Sequence, residues 1–119
     1  MPIIVAGTLD FAGDTQTCTD IITSGAAHIF ASRAEGGCIA YNWAVDPLHP
    51  GRIHVYEEWS DEKALLRHFS DPSYHAMRVH LEAQTLTGFS VMLYAAGKVE
   101  PVYDDLGQPR GAIFDVSLD

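Results

Sequence analysis

Positive charge is scarce: seven lysines and arginines stand against 16 aspartates and glutamates in 119 residues, a net charge of −9. Binding to a phosphate backbone rests on lysine and arginine neutralising phosphates, so this balance argues against a nucleic-acid partner and against an anionic membrane surface. Cysteine is scarcer still. Cys18 and Cys38 make neither a disulfide framework nor a zinc site, and read as two small, reduced, partly buried side chains. No apolar run is long enough to span a bilayer. The opening MPIIVAGTLDF is short, lacks basic flanks and alternates as a strand does. It is therefore expected to be neither a signal peptide nor a membrane anchor, with the cytoplasm as the expected compartment. Repeats and low-complexity segments are lacking too.

What remains is an ordinary globule, 47% hydrophobic and 19% charged. A chain of this length buries roughly 65% of its unfolded surface, enough for one core. Ile3 to Phe11 alternates as a first strand with Ile3, Val5, Gly7, Leu9 and Phe11 on one side. After the Ala12-Gly13 turn, Asp14 or Thr15 can cap a helix running to about Arg33, with Cys18, Ile22, Ala26, Ile29 and Arg33 on one stripe. Gly25 weakens that helix by about 1 kcal/mol relative to alanine. Glu35-Gly36-Gly37 ends it. Cys38 to Val45 is a second strand, with Ile39, Tyr41, Trp43 and Val45 on one face and Ala40, Asn42 and Ala44 on the other. The turn-forming run Asp46 to Gly51 returns the chain as a third strand, Arg52 to Trp59.

That third strand places Ile53, Val55, Glu57 and Trp59 on one face. Ser60 is the expected cap of a helix bearing Ala64, Leu65, His68 and Phe69 close together. Asp71-Pro72 interrupts it, because the residue before proline is pushed from the α region. A second helical run then carries Tyr74, Met77, Arg78 and Leu81. Gly88 to Ala96 forms a fourth strand, apolar on both faces, and Ala112 to Val116 a short alternating segment. The order β-α-β-β-α-β is the ferredoxin-like α+β arrangement: helices cover one face of a four-stranded antiparallel sheet. The bare face calls for a cover, most simply a second copy packed sheet on sheet, to which the chain after Gly97 could add a strand.

One imidazole on an apolar helical face, His68, is the most suggestive chemical feature. The six histidines show no i, i+4 pair and no HExxH spacing, so no metal site is expected. Arg33 and Arg78 could anchor an anionic group, although surface ion pairing is their ordinary role. Asp61-Glu62 reads as helix N-terminal charge.

Tyr41 in GCIAYNW, Tyr56-Glu57-Glu58-Trp59, Ala64-Leu65, His68 and the preceding SRAEGGCIAY resemble the antibiotic biosynthesis monooxygenase family over about Ile3 to Ala96. The resemblance implies a dimeric α+β barrel of two ferredoxin-like subunits. It also implies a small aromatic ligand, a quinol or polyketide, oxygenated without metal, flavin or haem. The expected units are residues 1–97 as the family domain and 98–119 as an extension packing on the same or the partner subunit. The haem-degrading branch of the superfamily carries an asparagine, a tryptophan and a histidine where this chain has Thr8 to Asp10, His68 and Arg78, so haem degradation is not expected.

Cofactor-free oxygenation requires that a proton leave a phenol or enol and that the resulting anion be held dry beside dioxygen. His68 is the candidate base, and Tyr41, Asn42, Trp43, Trp59, Phe69 and Tyr74 are the candidate substrate-binding residues. Each has a bland alternative. His68 could simply hydrogen-bond a carbonyl or a carboxylate such as Glu57, the aromatics could be core or dimer interface, and Asn42 could sit in solvent. A non-oxygenase that binds or isomerises a small molecule on the same fold is the alternative function.

Overall fold

The computed structural model describes residues 1–119. Its elements are β1 (Ile3–Phe11), α1 (Thr15–Ser24), α2 (Ala26–Arg33), β2 (Cys38–Val45), β3 (Arg52–Trp59), α3 (Glu62–Phe69), α4 (Pro72–Glu82), β4 (Leu86–Ala95), β5 (Ala112–Ile113) and β6 (Val116–Ser117). The first four strands form one antiparallel sheet in the order β2-β3-β1-β4, the ferredoxin-like α+β arrangement. No helix is long and apolar enough to cross a membrane.

Local chemistry accounts for most boundaries. Asp14 accepts from the Thr17 amide at 2.9 Å while Thr17 returns the contact, a reciprocal cap that starts α1. The expected single helix to Arg33 is instead two, divided at Gly25, which has left helical geometry. His80 of α4 sits in the break. Its Nε2 donates to the Ile21 carbonyl at 2.9 Å, and a β-carbon on Gly25 would stand 3.1 Å from its ring. The break turns the buried stripe to Cys18, Ile21, Ile29 and Ser32, leaving Ile22 and Ala26 half-buried and Arg33 exposed. The cap of α3 is Asp61, whose side chain accepts from Ala64 at 2.8 Å, and not Ser60. As the Asp71-Pro72 pair predicts, α4 begins afresh with Asp71 capping Ser73 at 2.9 Å.

One face of the sheet carries the helices. Ile53, Val55, Glu57 and Trp59 are all buried there, with Ile3, Val5 and Phe11 beside them. A bulge between Cys38 and Ala40 removes Ile39 from the expected face and leaves it 58% exposed, so Cys38 and Tyr41 point the same way. On the other side of the sheet Tyr56, Met92 and Tyr94 stay exposed. At Gly7 the backbones of β1 and β4 leave no room for a side chain, for a β-carbon there would clash with the Ser90 carbonyl oxygen. Beyond Gly97 the chain forms a small hairpin, β5–β6, tied by Arg110 to Glu100 at 2.8 Å and exposed throughout. The radius of gyration, 16.7 Å, exceeds the about 13.5 Å typical of a compact chain of this length.

Candidate functional site

Between the helix-facing side of the sheet and α3–α4 lies a cavity of about 900 Å³, within the usual range for ligand sites. Its walls are mostly apolar, including Val5, Val55, Met77, Leu81, Phe89 and Val91. Its few polar groups include Tyr41, Glu57, His68 and Tyr74.

His68 is 1% exposed and lines the cavity. The amphipathic spacing of α3 buries Ala64 and Leu65 with it. Aromatic rings surround the imidazole: Trp59 at 4.6 Å, Tyr74 at 5.4 Å, Tyr41 at 5.5 Å and Phe69 at 6.1 Å between centroids. Its Nδ1 meets Glu35 Oε2 at 2.6 Å. An ionised carboxylate can only accept, so in the neutral ring the proton sits on Nδ1 and Nε2 keeps its lone pair. Nε2 has no hydrogen-bond partner in the protein and is not sealed off, which leaves it to the cavity.

Glu35 reaches this position because of the turn that follows α2. Gly37, at φ +84°, lies against the start of α3; a β-carbon there would be 2.5 Å from that of Ala64. The Ser60 amide donates to the Gly37 carbonyl at 2.8 Å, clamping the turn to the end of β3. Ser73 then donates to Glu35 Oε2 at 3.3 Å and shares a 3.3 Å contact with Ser32, so the carboxylate is held from a second side.

The histidine's carboxylate partner is therefore Glu35 and not Glu57. Glu57 accepts from the Trp59 indole at 2.9 Å instead, and burial pushes its carboxyl above the ordinary range. Tyr41 is buried, and burial pushes its hydroxyl up to about 12. Trp43 Nε1 is sealed without a partner of hydrogen-bond geometry, although the Tyr41 hydroxyl lies beside it.

Of the candidate residues, Tyr41, Trp43, His68, Phe69 and Tyr74 line one cavity. Two do not. Asn42 lies on the opposite face of β2, exposed, where Arg33 Nη2 donates to it at 3.2 Å. Trp59, 0% exposed, is packed against the histidine ring with its indole nitrogen satisfied by Glu57. Arg33 is likewise held away from the cavity by the Tyr41 carbonyl, whereas Arg78 lines it, paired with Glu82 at 3.0 Å. Neither Glu57 nor Glu35 is among the catalytic or substrate-binding candidates of the sequence; Glu57 entered there only as a possible hydrogen-bond partner of His68. A carboxylate on the apolar face of β3 was the available signal for Glu57. Glu35 had none beyond its place before two glycines. No group of three or more histidine, cysteine, aspartate or glutamate side chains is arranged to hold a metal ion.

The sequence profile of the antibiotic biosynthesis monooxygenase family matches residues 12–79. An uncharacterised Synechocystis protein is 32% identical over 74 residues, 62% of this chain; the chain spans about half the length of that relative, 49%. Among solved structures, a Deinococcus radiodurans protein assigned to the antibiotic biosynthesis monooxygenases superposes with a TM-score of 0.73 at 22% identity, over 86% of this chain and 99% of that one. A variant of SnoaB, a cofactor-independent oxygenase from Streptomyces nogalater, gives 0.65 at 14% identity, over 84% and 97%. At these identities the structural likeness establishes the fold.

Proposed function

Because the chain belongs to the antibiotic biosynthesis monooxygenase family, we propose that it is a cytoplasmic, cofactor-independent monooxygenase acting on a small electron-rich aromatic such as a quinol or polyketide. One observation carries this reading: His68 offers an unpartnered Nε2 to an apolar cavity while Glu35 holds its Nδ1 at 2.6 Å. His68 is the base. It takes the acidic proton of the substrate, and the electron pair left behind reduces dioxygen. For an anthrone-like carbon acid the resulting peroxide loses water to leave a new carbonyl. Glu35 is the positioning residue that sets the tautomer and stabilises the imidazolium as it forms. Tyr41, Trp43, Phe69 and Tyr74 enclose the substrate. Asn42 and Trp59 lie outside that enclosure and are not assigned to it.

The functional unit in this reading is a homodimer. Exposed Tyr56, Met92 and Tyr94 on the bare face support it. Residues 1–97 form the catalytic unit, and residues 98–119 pack on the partner, a role consistent with exposed Val102, Ile113, Val116 and Leu118 on an arm that leaves the body.

Oxygen uptake in metal-free buffer with a panel of quinols and anthrone-like compounds tests the activity. His68→Ala is expected to lower the rate roughly 10²–10⁴-fold. An unchanged rate removes His68 from the mechanism, and absence of uptake with every compound removes oxygenation. The alternative, an isomerase or binding protein on the same cavity, has its own support: His68 and the buried carboxyl Glu57 line one apolar cavity, a base and an acid side by side. Conversion of a carbonyl substrate under strict anaerobiosis would favour it.

A further inference from the structure

Glu57 is the sole charged side chain on the helix-facing side of the four-stranded sheet, where its neighbours in register are Val5 on β1 and Tyr41 on β2. It is 8% exposed and lines the cavity. Trp59 Nε1 donates to its Oε1, and no arginine or lysine pairs with it. Its Oε2 has no partner in the protein, yet it is not a sealed orphan. The only basic side chain it faces is His68, which already holds Glu35 through Nδ1.

A carboxylate taken out of water without a cation is costly, and the neutral acid relieves that cost. A neutral carboxyl whose Oε1 accepts from an indole keeps its proton on Oε2, the oxygen left to the cavity. We propose that Glu57 is a catalytic acid whose Oε2–H donates to the carbonyl oxygen of the substrate beside His68, so that the cavity selects uncharged ketones and rejects carboxylates. The proposal rests on the reading of His68 as base. His68 Nε2 takes the proton from the ring carbon conjugated with the carbonyl, the CH2 opposite it in an anthrone; the C–H electron pair moves into the ring system, and the carbonyl π pair onto oxygen. Glu57 hydrogen-bonds that oxygen as its charge grows, in the manner of an oxyanion-hole donor. A ligand carboxylate would meet no free cation on this floor, because Arg78 is paired with Glu82 at the mouth.

Binding of two probes separates the possibilities without recourse to turnover. Anthraquinone, an uncharged diketone with no acidic proton, and anthraquinone-2-carboxylate are titrated against the wild type, Glu57→Gln and Glu57→Leu by tryptophan fluorescence quenching. Glutamine keeps both a donor for the ligand and an acceptor for Trp59, so anthraquinone affinity within about twofold of the wild type is expected. Leucine removes the donor, and a loss of about tenfold is expected, the value of one hydrogen bond to a buried group. The carboxylate probe is expected to bind the wild type at least tenfold more weakly than anthraquinone. Infrared difference spectra supply a second readout: the carbonyl band of a protonated carboxyl should shift when anthraquinone binds and be missing in Glu57→Gln. Equal loss of anthraquinone affinity in both variants, absence of that band, or equal binding of the two probes to the wild type overturns the proposal. Oxygen uptake by the wild type decides the oxygenation reading separately. Uptake without this binding pattern sinks the Glu57 assignment alone, and the pattern without uptake supports Glu57 against oxygenation.

Discussion

Strands β3 and β4 both pair with β1, and both read as apolar alternation, yet they meet different fates. On β3 the inward set Ile53, Val55, Glu57 and Trp59 is wholly buried. On β4 the inward set includes Phe89 at 74% and Leu93 at 62% exposure, and the outward Met92 and Tyr94 are bare as well. The difference is position. β3 lies second in the sheet with a neighbour on each side and helices above it, whereas β4 is an edge strand that the helices do not roof. The uncovered ground between α4 and β4 is the mouth of the cavity. An incomplete core thus leaves an open apolar cavity, at the cost of apolar surface left exposed to water.

The largest test of this contrast is Trp59→Ala, expected to cost about 3–5 kcal/mol in urea unfolding because a full ring is lost from packed surroundings. Phe89→Ala, made at protein concentrations too low for association, should change stability by less than about 0.5 kcal/mol. Equal costs would break the comparison. Next in size is Glu35→Gln, which leaves an acceptor near His68 but removes its charge. A roughly 10–100-fold loss confined to kcat, with KM little moved, is the mark of a positioning role. Asp61→Ala should cost about 1 kcal/mol through loss of the α3 cap, seen as a lower midpoint of thermal unfolding.

The smallest effect is in pH dependence, and it runs opposite ways in the two environments. Glu57 is held above its ordinary 4.5 chiefly by burial, so the folded state binds its proton more tightly than the unfolded chain. Its contribution is complete below about pH 4.5 and is lost as pH rises through the folded value. Stability of Glu57→Gln relative to the wild type should therefore rise across that window. Asp14 and Asp71 are held below 3.8 chiefly by backbone amides at helix starts, and their contributions are lost as pH falls. Replacing either with asparagine should flatten the acid side of the profile only.

Legibility followed the range of the interactions. β1 matches the alternating stretch residue for residue, and the Asp71-Pro72 break is read from two neighbours. The break at Gly25 leaves no local mark beyond the glycine itself, because what sits in it, His80, lies 59 residues from the carbonyl it holds. The bulge at Cys38 shifted Ile39, and the two glycines before it read as the end of a helix, not as a break in strand register. At the site, His68 stood out by its apolar stripe, but its partner Glu35 is 33 residues away. Alternation separated Asn42 from Tyr41 and Trp43 without saying which face the helices would take, and only the packing assigns the tyrosine and tryptophan to the cavity.

From its own order of residues the chain determined strand periodicity, the start of α1 and the break at Asp71-Pro72, since these depend on neighbours a few positions apart, and with them the β-α-β-β-α-β order. Folding in three dimensions decided which carboxylate meets the imidazole, which nitrogen faces the cavity and which strand is left uncovered. Those outcomes depend on distant side chains competing for the same buried space, a contest no local pattern records.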